Sequence, residues 1–104
     1  MGSYRNKLDI LADILRIASR GAKKTQIMYQ ANLSYKLLIK YLAECRKAYF
    51  IRLEQSKRRY VLTDKGKKFL EEYKGYAKSN RHVEKRLKDI RAKRRVLEDL
   101  CSSG

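Results

Sequence analysis

From Arg5 to Arg20 the apolar residues Leu8, Leu11, Ala12, Ile14, Leu15, Ile17 and Ala18 recur at steps of three and four, and Gly21 follows where such a helix would end. The spacing predicts a first helix there. Lys24 to Gln30, carrying Ile27 and Met28, predicts a short second helix. Ala31-Asn32-Leu33 reads as the turn after it, because Asn tolerates the left-handed backbone that joins helices tightly. Ser34 is placed as the N-cap of a third helix, which runs to about Lys47.

After Ala48 the period changes. Phe50-Ile51-Arg52-Leu53-Glu54 and Arg59-Tyr60-Val61-Leu62 alternate, are rich in β-branched and aromatic residues, and flank the polar run Gln55-Ser56-Lys57-Arg58. This predicts a β-hairpin. Thr63 then suits an N-cap, with Asp64 favourable in the first turn. No proline interrupts the chain from there to about Leu100, and Gly66 and Gly75 count as mild breaks. One helix of about 37 residues, roughly 55 Å long, follows. A core built from so short a chain cannot cover such a helix along its length, so part of it is expected to project. The expected fold class is mainly α with α+β character, divided into residues 4–66, a winged helix-turn-helix unit, and 67–101, a dimerisation helix. Met1-Gly2-Ser3 carries no part of this pattern.

Within the long helix Tyr73, Tyr76, Asn80, Val83, Leu87, Ile90, Arg94, Leu97 and Cys101 step alternately by three and four, the spacing of a heptad seam. Asn80 and Arg94 are its polar members. A solvated helix with a weak stripe would also accommodate the pattern. A row of Val, Leu, Ile and Leu facing water calls for a partner, which favours a two-stranded coiled coil and therefore a homodimer through Tyr76, Asn80, Val83, Leu87, Ile90, Arg94, Leu97 and Cys101.

Composition sharpens the choice of partner. The chain has 104 residues, enough for one modest core, and 27 Lys and Arg against 11 Asp and Glu leave a net charge of +16. With 43% hydrophobic residues and eight tyrosines, this charge decorates something folded and is not a disordered basic tail. A field of that sign attracts polyanions, nucleic acid first and an anionic membrane surface well behind. Residues 1–63 carry net +10 and residues 64–104 net +6, so the charge is densest ahead of the long helix. Apolar runs such as Leu37-Leu38-Ile39 are far shorter than the roughly 18 residues of a membrane span, so a soluble protein is expected. Cys45 and Cys101 lack CxxC spacing and no signal-type segment opens the chain, which together predict a reducing, cytoplasmic setting. Cys45 falls on the core side of the third helix.

Three helices, a hairpin and a further helix is the element order of a winged helix, in which the third helix enters the major groove. Projected at 100° per residue, Leu38, Tyr41, Leu42 and Cys45 fall on one side of that helix, and Lys36, Ile39, Lys40, Ala43 and Lys47 on the other. Glu44 is its only acid, and Ala43 is small enough for close approach to a groove. In the hairpin, Tyr60 and Leu62 match Ile51 and Leu53 on the inward face, leaving Arg52, Lys57, Arg58 and Arg59 outward or at the tip as a basic wing, suited to a flanking phosphate or the minor groove. The candidate DNA contacts are Ser34, Tyr35, Lys36, Ile39, Lys40 and Lys47 from the helix, with Arg52, Lys57, Arg58 and Arg59 from the wing.

The run TQIMYQANLSYKLLIKYL, followed by YVLTDKGKKFLEEY, resembles the archaeal 10a family of small winged-helix DNA-binding proteins. The likeness covers nearly the whole chain, with Ala31-Asn32-Leu33-Ser34-Tyr35 and Leu62-Thr63-Asp64-Lys65-Gly66 as its more specific blocks. It implies a homodimer joined by an antiparallel coiled coil of the last helix, with two DNA-reading heads at opposite ends of a rod. It also implies a chromatin, nucleoid-associated or transcription-regulating role and a thermophilic archaeal source.

Catalytic chemistry has little to stand on. His82 is the only histidine and sits in a basic stretch; no glycine-rich phosphate loop, paired carboxylates or zinc-ligand cluster is visible. No enzyme activity, cofactor, metal or small-molecule ligand is expected. Two other functions fit the same residues: RNA binding, since winged helices and basic rods also dock on structured RNA, and a protein-interaction module built on the coiled coil.

Overall fold

The computed structural model describes residues 5–102, and Met1-Gly2-Ser3 and the expected domain start at residue 4 lie outside them. The elements are α1 (Lys7–Ala18), α2 (Lys24–Gln30), α3 (Tyr35–Lys47), β1 (Ile51–Glu54), β2 (Arg59–Leu62) and α4 (Asp64–Ser102). The chain divides into two compact units, residues 1–73 and 74–104.

In the first unit, α1 starts later than the apolar period suggested, because Asn6 caps it. The Asn6 side chain accepts from the Asp9 backbone N–H at 2.9 Å, and the Asp9 carboxylate accepts from the Asn6 N–H at 3.0 Å, a reciprocal capping box. Arg5, expected inside the helix, lies before it. Its guanidinium donates to the carbonyls of Ala31 at 2.5 Å and Asn32 at 3.1 Å and pairs with Asp13 at 3.0 Å. The start of α1 is thereby tied to the turn that launches α3.

The two helix exits on either side of α3's start and end have the same construction. After α2, Asn32 takes φ +54°, with Leu33 N–H bonded to Met28 O and Asn32 N–H to Tyr29 O. After α3, Tyr49 takes φ +62°, with Phe50 N–H bonded to Cys45 O and Tyr49 N–H to Arg46 O. Both are Schellman closures. The second puts a tyrosine where glycine is usual, a conformation no spacing rule would assign to it.

The core gathers Leu11, Ile14, Leu15 and Ala18 of α1 with Ile27, Leu33, Leu38, Leu42, Cys45 and Ile51. Leu8, counted in the apolar stripe of α1, lies exposed at its edge. Burial pushes the Cys45 thiol up to about 12, and the neighbouring Glu44 carboxylate adds to the effect. At neutral pH that thiol is protonated and inert. The hairpin pairs Ile51 with Leu62 and Leu53 with Tyr60, and its tip is a 3₁₀ turn over Gln55–Lys57. Ala22 adds a short antiparallel bridge to Tyr60 through bonds of 3.0 and 2.7 Å, fastening the α1–α2 connection to β2.

Packing continues past the expected boundary at Gly66. Phe69 and Leu70 of α4 lie against the core, the Phe69 ring meets Phe50 at a tilt of 43° and stacks on Tyr73, and the Tyr73 hydroxyl donates to Asp9. Tyr73 therefore belongs to the first unit, although its spacing had placed it at the head of the seam. Its hydroxyl is pushed up to about 12, chiefly by burial and then by the bond to Asp9.

Gly66 is also more than a mild break. Thr63 Oγ1 accepts from its backbone N–H at 3.0 Å and donates to Tyr49 O at 2.5 Å, as an N-cap that also holds the end of α3. A Cβ at residue 66 would lie 2.2 Å from the Phe50 carbonyl oxygen and 2.6 Å from Leu62 Cδ1. The oxygen is backbone and already accepts from Thr63 N–H at 3.0 Å, so it cannot give way cheaply. Gly66→Ala is expected to destabilise the first unit by about 1–3 kcal/mol, the range for overpacking. Gly75→Ala, with nothing within 4 Å of the added carbon, should be neutral or stabilising by comparison. Urea denaturation of the two variants checks the contrast.

The second unit is the remainder of α4. The helix has 39 residues, two more than the apolar and proline-free pattern suggested. Val83, Leu87, Ile90 and Leu97 are each about half exposed or more. Val96 and Leu100, which the heptad spacing left off the seam, are as exposed as they are. Among the described residues no helix is long and apolar enough to cross a membrane.

Candidate nucleic-acid interface

The orientation of α3 is set from beneath. Leu38, Leu42 and Cys45 are buried and Tyr41 half-buried, which turns Lys36, Ile39, Lys40, Ala43 and Lys47 to the surface. Ser34 caps the helix through its hydroxyl, which accepts from Leu37 N–H at 3.2 Å. The lone acid, Glu44, bonds Lys7 at 3.1 Å and stays off the exposed row. The outward face is thus cationic with one apolar and one small residue, a surface that can press against a polyanion.

Two aromatic rings hold cations on this face. The Lys24 ammonium lies 5.2 Å from the centre of the Tyr35 ring and donates to its hydroxyl at 3.4 Å, and the Lys40 ammonium lies 5.3 Å from the Tyr41 ring. Lys24 was not among the residues singled out by spacing. It belongs to α2 and reaches the start of α3 only through the tertiary turn.

On the wing, Arg52, Lys57 and Arg58 are exposed. Arg58 closes the tip with φ +49°, the left-handed conformation in which an L-residue is disfavoured by about 1–2 kcal/mol. Arg59 stands apart from the other three. Its guanidinium is half-buried, donates to Glu54 at 2.8 Å and covers Gly21, whose φ of +78° and contact distance of 3.0 Å leave no room for a side chain. The ion pair with Glu54 makes Arg59 first a strut of the wing.

A family model described as winged helix-turn-helix matches residues 4–81, three quarters of the chain. The chain belongs to the winged helix-turn-helix family. In its terms α2 and α3 are the helix-turn-helix, the β1–β2 hairpin is the wing, and the match ends inside α4. The crystal structure of Sso10a-2, a DNA-binding protein from Sulfolobus solfataricus, is similar in fold, with a TM-score of 0.76 at 24% sequence identity over 83% of this chain and 93% of that one. This agrees with the resemblance to the 10a family read from the sequence. No curated protein sequence matches the chain. Among the described residues, no three His, Cys, Asp or Glu side chains gather as a metal site would require.

Proposed function

We propose that this winged helix-turn-helix protein binds duplex DNA as a homodimer, in an architectural or regulatory role and without catalysis. The observation that carries the reading is the exposed face of α3. Lys36, Lys40 and Lys47 surround Ile39 and Ala43 on the element that enters the major groove in helix-turn-helix proteins. Arg52, Lys57 and Arg58 supply the flanking phosphate contacts, with Ser34 and Tyr35 at the helix start. The strained backbone of Arg58 supports a functional tip, since glycine would close the same turn at lower cost. The similarity to a DNA-binding protein of the same fold supports DNA as the partner.

Dimerisation is assigned to Tyr76, Asn80, Val83, Leu87, Ile90, Arg94, Leu97 and Cys101 of α4 in an antiparallel coiled coil. In one register consistent with the heptads, Leu87 meets Ile90 of the partner subunit, and Val83, Asn80 and Tyr76 meet the partner's Arg94, the partner's Leu97 and the partner's Cys101. Charge favours this direction. Arg86, Lys88, Arg91, Lys93, Arg94 and Arg95 would each be stacked on their own copies in a parallel pair, whereas this antiparallel register sets Lys93 level with the partner's Glu84 and Lys88 level with the partner's Asp89, and leaves only Arg86 level with the partner's Arg91.

Thiol chemistry separates the two arrangements. Cys101 is exposed and free, whereas Cys45 is buried and protonated, so only Cys101 competes for oxidant. In a parallel in-register dimer the two Cys101 thiols would be adjacent. In the antiparallel dimer they lie at opposite ends of the overlap, beyond the roughly 7 Å between Cα atoms that a disulfide spans. Mild oxidation of dilute, DNA-free protein should leave a monomer band on non-reducing electrophoresis, while sedimentation of the same sample gives a dimer. Rapid, quantitative Cys101-dependent crosslinking would overturn the antiparallel arrangement, and a sedimenting monomer would overturn the dimer.

A further inference from the structure

The second unit carries a charge pattern that neither the reading helix nor the seam uses. At 100° per residue, the side of α4 opposite Asn80, Val83, Leu87 and Ile90 presents Lys74, Lys78, Arg81, Lys85 and Lys88, all exposed. The side chains of Lys78, Arg81, His82 and Lys85 together line a shallow hollow on this face. Glu84 is the one acid between residues 74 and 88; it projects midway between the seam and the cation row, one turn from Arg81 and Lys88, and pairs with neither among the described residues.

A helix face that serves only solubility mixes signs and pairs them, as α4 itself does elsewhere. Lys67 pairs with Asp64, Lys93 with Asp89 and Arg94 with Glu98, at 3.8, 3.2 and 3.5 Å. Among the described residues, none of the five cations from Lys74 to Lys88 is in an ion pair. They are instead neighbours of each other at i,i+3 and i,i+4, a spacing at which like charges oppose the helix. A bound polyanion removes that opposition. The row from Lys74 to Lys88 spans about 21 Å, the axial rise of roughly six phosphates along one strand of a duplex. Apart from His82 at the edge of the hollow, it holds no apolar or aromatic residue with which to stack or read a base.

We propose that the face of α4 opposite its apolar seam is a second duplex-DNA surface, one that engages the phosphate backbone and reads no sequence. The proposal rests on the DNA-binding reading only for the identity of its polyanion. It gives each chain a base-reading element in α3 and a sequence-blind rail in α4, so that a bound protein contacts more phosphates than the helix-turn-helix and wing supply.

The test uses the full chain and a long random-sequence duplex, with binding followed by fluorescence anisotropy against salt. The variant Lys78→Gln/Arg81→Gln/Lys85→Gln/Lys88→Gln keeps good helix formers at every position. Since each phosphate contact contributes about 0.9 to the slope of log K against log salt, its slope should be shallower than wild type by about 2–4. A control losing four exposed cations elsewhere, Arg20→Gln/Lys23→Gln/Lys65→Gln/Lys68→Gln, should change it by less than about 1. Lys78→Arg/Lys85→Arg/Lys88→Arg should keep the wild-type slope. Lys36→Ala/Lys40→Ala/Arg58→Ala should retain a weak salt-dependent binding that disappears when the four glutamines are added. An unchanged slope in the glutamine variant, an equal loss in the control, or a loss in the arginine variant overturns the proposal. Wild-type binding by the Lys36/Lys40/Arg58 variant would instead refute the role of α3 and leave the glutamine comparison standing.

Discussion

Affinity for duplex DNA is expected to fall by about 10³–10⁵ between 50 and 200 mM salt, the response of a protein that neutralises on the order of 6–10 phosphates. The physical basis is counterion release. Each Lys or Arg that meets a phosphate frees a condensed cation, and adding salt makes that release less favourable. The exposed cations of α3 and the wing are Lys36, Lys40, Arg46, Lys47, Arg52, Lys57 and Arg58, seven in each chain and fourteen in a dimer. Partial engagement of these already reaches the stated range. Titrations of one labelled duplex at several salt concentrations measure it, and an affinity that barely responds to salt would remove DNA from the list of partners.

Leu42→Ala is expected to lower the stability of the first unit by about 2–5 kcal/mol, whereas Lys36→Ala, Lys40→Ala and Arg58→Ala should stay within about 0.5 kcal/mol of wild type. Leu42 is 3% exposed and lies in the core beneath the reading face, one turn from Leu38 and Cys45. Removing its side chain leaves a cavity that packed neighbours cannot fill. The three cations have no buried partner to lose, although Lys40 gives up its contact with Tyr41. In DNA binding the order reverses: the cation variants lose affinity at unchanged melting temperature, and Leu42→Ala binds in proportion to its folded fraction. Melting losses in the lysine variants that match Leu42→Ala would place those lysines in the core and refute the groove assignment.

Local chemistry carried much of this protein's structure in plain view. A 3.6-residue apolar period, a serine before it and an asparagine ahead of that are properties of neighbours in sequence, and they placed α2, α3 and the Asn32 turn at their observed positions. The alternation around a polar run did the same for the hairpin and its inward pairs. The exposed row of α3 was legible because the side of a helix that packs determines the side that does not. What chain order could not convey are contacts between residues far apart along it. Gly66 looked like a weak helix position until the Phe50 carbonyl was found where its Cβ would be. Arg59 counted as one more wing cation until Glu54 and Gly21 enclosed it. Tyr73 followed the heptad spacing, yet its hydroxyl bonds Asp9, 64 residues earlier, because a side chain is claimed by whichever partner the fold brings within reach. Lys24 joined the reading face through Tyr35 for the same reason. Periodicity and capping are settled within a turn or two of backbone, so the sequence determines them; close approach, ion pairing and shared aromatic contacts depend on which segments meet, and only the tertiary structure decides that.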